Sequence, residues 1–199
     1  GIERPRGIEN ASGINRSTNA DNSAEQQNVD TLARLEQLLG GPDDAAGLGA
    51  KLAAFETALI SAASDPAAQA RLASVVTRLD DVAKTLNANT HAVQASRQDA
   101  DAAIANDIRK LNNGLVQVGE LNADILRLKT TGNDPSSLID ARQRIVDGIA
   151  DIVSIRQIDR ENGTIGLMTK NGTTLLDGRP VEFEFDRTPT ITGDMTFDA

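Results

Sequence analysis

The 199-residue sequence contains no cysteine, tryptophan or tyrosine, and a single histidine. Without thiols it forms neither disulfides nor thiolate metal sites, a composition compatible with export and with the cytosol alike. One histidine, His91, leaves no multi-histidine metal site within a chain; it lies beside Thr90 on a long helical pattern and reads as a solvated helix residue. Four phenylalanines are the only aromatics, so burial must rest on Leu, Ile, Val and Ala, which favours helices packed through aliphatic ridges. No apolar run approaches the roughly 20 residues of a membrane helix, and no basic, apolar and small-residue succession marks a secretory signal. A formal net charge of -9, a pI near 4.6 and no basic run longer than two residues argue against nucleic acid, whose phosphates need clustered Lys and Arg.

What is present is 39% apolar residues, enough for one packed domain or two small ones. Residues 1–24 are polar, rich in Asn, Ser and Gly, with Ile2, Ile8 and Ile14 at an interval that fits neither helix nor strand; they read as an entry segment becoming helical towards Asn22. From Glu25, Val29, Leu32, Leu35 and Leu38 or Leu39 share a helical face that stops at Gly40-Gly41. A second helix carries Leu48, Leu52, Phe55 and Leu59, with alanines that admit a close neighbour, and ends before Asp65-Pro66. That Asp-Pro pair predicts an N-cap and first-turn proline for the next helix.

The next pattern is the longest in the chain. A strict heptad from Leu72 to Leu128 places apolar residues at every seam position except Thr90, Arg97, Asp107 and Gly114. Such a run predicts one long helix, or two broken near Asn112 to Gly114, packed in coiled-coil fashion. Arg97 and Asp107 either fix register or mark where the seam turns to solvent. Asp134 and Pro135 then announce a short helix with Leu138, Ile139, Arg142, Ile145, Val146, Ile149 and Ile152 at helical spacing. These helices predict an elongated antiparallel bundle over residues 25–152.

After Ile152 the period becomes two. "IVSIRQI", "TIGLMT", "TTLLDG" and "VEFEF" are strand candidates, separated by Asn-Gly and Asp-Gly turns, and predict a small antiparallel β region over 153–199. Ile191, Met195 and Phe197 read as the start of a further strand pair cut short. The fold class is therefore mainly α with a small β part.

No arrangement rises to an active site. The pairs Asp43-Asp44, Asp80-Asp81 and Asp99 with Asp101 diverge around their helices and do not converge on one atom. "DRENGT" at 159–164 lacks the alternating ligands of a calcium loop, and Asn162-Gly163-Thr164 and Asn171-Gly172-Thr173 read as turns before they read as glycosylation sites. No catalytic, cofactor-binding or metal-ligating residue is identified.

The central stretch carries a resemblance. Leu121, Asn122 and Ile125 on a helix, Gly132 and Asp134 in a loop, Leu138, Asp140 and Arg142 on the next helix, then Gly172, Leu175, Leu176 and Gly178 in a β region resemble the flagellar hook-associated protein 1 family. Upstream, Phe55, Pro66 and Arg71 occupy places similar to that family's helical domain, and the alanine-rich flavour resembles alphaproteobacterial members. The likeness covers roughly residues 29–198. It implies a structural subunit of the junction between bacterial hook and filament that works by self-assembly and has no enzyme activity. Implied partners are copies of itself in a ring, the hook protein, the second junction protein and an export chaperone, with an extracellular location reached without a cleaved signal peptide. The family's terminal segments have no match in this sequence, so it reads as an excised middle expected to be monomeric alone. Asp140 and Arg142 read as framework or interface residues, with surface charge an equal alternative. The rival reading from another class is an extracellular binding module, a flagellin-like or adhesin domain that recognises a ligand through its β end; a hydrolase using paired aspartates ranks last.

Overall fold

A computed structural model describes residues 25–37, 40, 44–188, 190, 191 and 195. The entry segment, Leu38, Leu39, Gly41 and Phe197 lie outside the described residues. The chain is mainly α with a small antiparallel sheet. Its helices are α1 over residues 25–37, α2 Leu48–Ser64, α3 Gln69–Thr130 and α4 Ser136–Ala150. The strands are β1 Ile155–Asp159, β2 Ile165–Thr169, β3 Thr174–Asp177 and β4 Arg179–Pro180. Two compact units share the chain, and α3 contributes its first half to one and its second half to the other.

In the first unit, α2 and the first half of α3 meet through small residues. Ala58 and Ala62 are buried, whereas Leu52, Leu59 and Ile60 are exposed. The Asp65-Pro66 reading needs correcting. Proline drives the preceding Asp65 to an extended φ of -150°, a turn closes with Ala68 N–H donating to the Asp65 carbonyl at 3.2 Å, and α3 starts only at Gln69. The seam also differs from the heptad. Val75, Val82, Thr85 and Asn89 are buried or half-buried, each one residue before a heptad position, and the heptad leucines themselves are exposed. A one-residue offset rotates a helix by about 100°, so the stripe that meets the rest of this unit is the more polar one.

The second unit is the aliphatic core the composition predicts. Leu111, Leu115 and Val118 of α3, Val146, Ile149 and Ala150 of α4, and Ile155, Ile165, Leu167, Leu175 and Leu176 of the sheet form one cluster, with Phe183 packed against it. α3 is continuous through Gly114, which answers the question of a break. A Cβ built on Gly114 would stand 3.0 Å from Ile149 Cγ1 and 3.2 Å from Ile149 Cδ1, so the missing side chain is what lets α4 approach. The end of α3 is a Schellman turn: Gly132, at φ 73°, donates to the Lys129 carbonyl and Asn133 donates to the Leu128 carbonyl at 2.9 Å. Asp134 Oδ1 then accepts from Ser136 N–H at 3.0 Å and from the Ser136 hydroxyl at 2.6 Å, but α4 begins at Ser136 with Pro135 as its N-cap, so Asp134 and Pro135 each stand one place earlier than the sequence predicts.

The sheet order is β1-β2-β3-β4, antiparallel throughout. Asn162-Gly163 and Asn171-Gly172 sit in its first two turns. Between β2 and β3 the register steps from Leu167↔Leu176 to Met168↔Thr174, which leaves Leu175 as the extra residue of a bulge. Adjacent residues of a regular strand face opposite sides; the bulge lets Leu175 and Leu176 both be buried. The fourth strand differs from the expectation. It is the pair Arg179–Pro180, and residues 181–185 form no ladder. After Val181 N–H donates to the Leu175 carbonyl, the peptide of Phe183 is taken by a helix side chain. Ile191 is buried and not a member of a described strand.

Candidate functional site

The described residues converge on a buried polar node within the second unit. Asn122, one turn before the fully buried Ile125 on α3, faces the start of β2. Its Nδ2 donates to the Ile165 carbonyl at 2.8 Å, and its Oδ1 accepts from Ile165 N–H at 3.1 Å. The side-chain amide thus pairs with one peptide as a neighbouring strand would. Arg142, projecting from α4, donates through one nitrogen to Asn122 Oδ1 and to the Gly163 carbonyl, both at 2.8 Å. Two buried residues therefore tie α3, α4 and the β1–β2 hairpin together. Burial pulls the Arg142 guanidinium below its ordinary pKa, and the Asp159 carboxylate opposes that shift.

The same device recurs on α3. Asn112 Nδ2 donates to the Phe183 carbonyl at 2.8 Å and its Oδ1 accepts from Phe183 N–H at 3.0 Å. Composition and spacing gave no warning of this pairing, because its partners are 71 residues apart. The available signal was an amide beside an apolar stripe, which asks for a backbone partner when buried.

Of the other residues singled out in the sequence, Leu121, Leu138 and Phe55 are half-buried, and Leu175 and Leu176 are core. Gly132 and Asp134 make the α3–α4 connection, and Gly172 and Gly178 follow β2 and β3. Asp140 is exposed and outside the node. In the other unit, Pro66 lies in the α2–α3 turn. Arg71, from the first turn of α3, donates to the Ser61 carbonyl at 3.0 Å and the Ser64 hydroxyl at 2.6 Å, placing a cation on the closing turn of α2. His91 is exposed on α3.

Chemically this arrangement holds backbone; it offers no nucleophile or paired acid and base. Among the described residues no group of three or more His, Cys, Asp or Glu is placed to hold a metal, and no helix is long and apolar enough to cross a membrane.

Comparison with known proteins points one way. The family model "Flagellar hook-associated protein FlgK helical domain" matches residues 32–192. Flagellar hook-associated protein 1 of Salmonella typhimurium is 29% identical over 152 residues, covering 74% of this chain and 27% of that protein. Its counterpart in Escherichia coli K12 is 25% identical over 170 residues, covering 81% of this chain and 30% of that protein. The chain therefore spans under a third of the length of these relatives. The solved structure of the flagellar hook junction protein FlgK from Burkholderia pseudomallei shares the fold with a TM-score of 0.74 at 17% identity, over 83% of this chain and 29% of that one.

Proposed function

Because this chain belongs to the flagellar hook-associated protein FlgK helical-domain family, we propose that it is part of a structural subunit joining hook to filament in the bacterial flagellum, acting by assembly and not by catalysis. The observation that carries this reading is the family match over residues 32–192. The buried Asn122–Arg142 node supports it, since a subunit that bears load through packing needs its helices and sheet locked as one block, and the described residues spend their buried polar groups on that task. In this reading Asn122, Arg142, Gly132, Asp134 and the Leu175-Leu176 pair are framework residues, and Arg71 is the framework residue of the α2–α3 turn. The partners are other copies in a ring, the hook protein and the second junction protein, with export through the flagellar channel assisted by a chaperone. A ring of identical subunits needs heterologous contacts that close by rotation. Nothing observed favours a ligand-binding β end, whose leucines are buried in the core.

Deleting the complete gene in its native bacterium tests the proposal. The expected outcome is cells with hooks and no filaments that shed flagellin as monomer, rescued by the intact gene. Normal filaments and motility, with no duplicate gene to compensate, would remove the junction role.

A further inference from the structure

The sequence holds three Asn-Gly pairs, at 113–114, 162–163 and 171–172, and the fold treats each differently. An asparagine followed by glycine is chemically labile, because no side chain on the second residue keeps its peptide nitrogen from the asparagine's own Cγ. Attack requires the peptide between them to rotate. The reaction is therefore fast where that peptide is loosely held and slow where it is fixed.

Asn113-Gly114 lies inside α3, where the peptide N–H belongs to the helix and Gly114 is buried against Ile149. Asn162-Gly163 is tied from several sides. Asn162 Oδ1 accepts from Thr164 N–H at 3.0 Å and from the Thr164 hydroxyl at 2.7 Å, the Gly163 carbonyl accepts from Arg142 at 2.8 Å, and the Lys129 side chain lies over Gly163. Asn171-Gly172 lacks these ties. Both residues are exposed, the Asn171 side-chain amide makes no hydrogen bond among the described residues, and a Cβ added to Gly172 would meet nothing within 4 Å. Gly172 N–H donates to the Thr169 carbonyl at 3.0 Å, but Gly163 N–H donates equally to the Arg160 carbonyl at 2.9 Å, so that bond does not separate the two turns.

We infer that Asn171 is a site of spontaneous modification in this chain, losing its amide through a succinimide formed with Gly172 while Asn113 and Asn162 keep theirs. The Gly172 nitrogen gives its proton to hydroxide and bonds to Asn171 Cγ; the Cγ–Nδ2 bond breaks, and Nδ2 leaves as ammonia with a proton from water. Water then opens the imide at either carbonyl, giving aspartate or an isoaspartate whose backbone runs through Cβ. Each product adds a carboxylate to a chain of net charge -9, in the turn that leads to the buried Leu175 and Leu176. This chemistry is independent of the junction role.

The 199-residue chain tests it when incubated folded and, in parallel, unfolded in guanidinium chloride at the same mildly alkaline pH and temperature. Trypsin then separates the three pairs by cutting after Lys110, Arg160 and Lys170. Fragment mass spectra locate each amide replaced by an acid, and chromatography resolves isoaspartate from aspartate. In the folded chain Asn171 should lose its amide about tenfold faster than Asn162 or Asn113, and the three rates should converge in the unfolded chain. A folded-state rate at Asn171 no faster than at Asn162 overturns the inference. So does an Asn171 that the fold protects, relative to the unfolded chain, as strongly as it protects Asn113.

Discussion

On α3, Leu111, Leu115, Val118 and Ile125 are almost completely buried, whereas Leu72, Val76, Leu79 and Leu86 of the same helix are about half exposed or more. The second half has α4 and a sheet to fill its surroundings, and its two buried-side amides, Asn112 and Asn122, each capture a whole peptide. The first half meets the small-residue side of α2, and Asn89 Nδ2 there is the buried side-chain atom left without a hydrogen-bond partner among the described residues. A heptad thus announces that a helix owns an apolar face. Which neighbour covers that face is decided elsewhere in the sequence.

The largest effect that would sharpen this contrast comes from the node. Asn122→Leu keeps the volume but strips partners from the Ile165 peptide and from Arg142. Buried groups left unpaired make this cost about 3–5 kcal/mol in urea unfolding. A loss under about 1 kcal/mol would show that water replaces the amide and that the node is not a lock.

Paired leucine truncations test the two halves directly. Leu115 has no exposed surface, so Leu115→Ala should cost about 2–5 kcal/mol. Leu79 is half exposed, so Leu79→Ala should shift stability by no more than about 0.5 kcal/mol. Equal costs would break the comparison, because they would mean that the first half is covered within the chain itself. A smaller effect belongs to Gly114→Ala. Alanine gains about 1 kcal/mol of helix propensity, while crowding against Ile149 costs about 1–3, leaving a net loss of roughly 0–2 kcal/mol. Trimming the neighbour with Ile149→Val should turn that loss towards a gain, which a double-mutant cycle reads.

Local signals made much of this legible. Gly40 and Gly132 end helices, Asp134 leads into one, and Asn162-Gly163 and Asn171-Gly172 turn the hairpins, each acting within a few residues of itself. Apart from the Asp65-Pro66 turn and the one-residue shift at Asp134-Pro135, the departures involve partners that local spacing does not reveal. In the first half of α3 the buried and half-buried stripe of Val75, Val82, Thr85 and Asn89 lies one residue off the heptad, which hydrophobic spacing alone does not encode. Residues 181–185 alternate like a strand, yet Phe183 gives its peptide to Asn112. The Leu175 bulge depends on the β2–β3 register, which alternation alone does not encode. Asn122 and Arg142 stood out through family resemblance; that they hold each other and the peptide of Ile165 became visible only in the fold.

The smallest effect concerns the link into α4 and has a definite sign. Hydrogen bonds from the Ser136 hydroxyl and from Ser136 N–H lower the Asp134 pKa below its ordinary 3.8, because both donors favour the carboxylate. A carboxylate depressed in the folded state stabilises above its unfolded pKa and loses that stabilisation as pH falls through the folded one. Asp134→Ala should therefore lower the melting temperature at neutral pH by less than any of the core changes, since the group is fully exposed. The gap from the parent chain should begin to narrow near pH 3.8 and close below it. A gap that stays constant into stronger acid would show that Asp134 serves α4 through its shape in the turn and not through its charge.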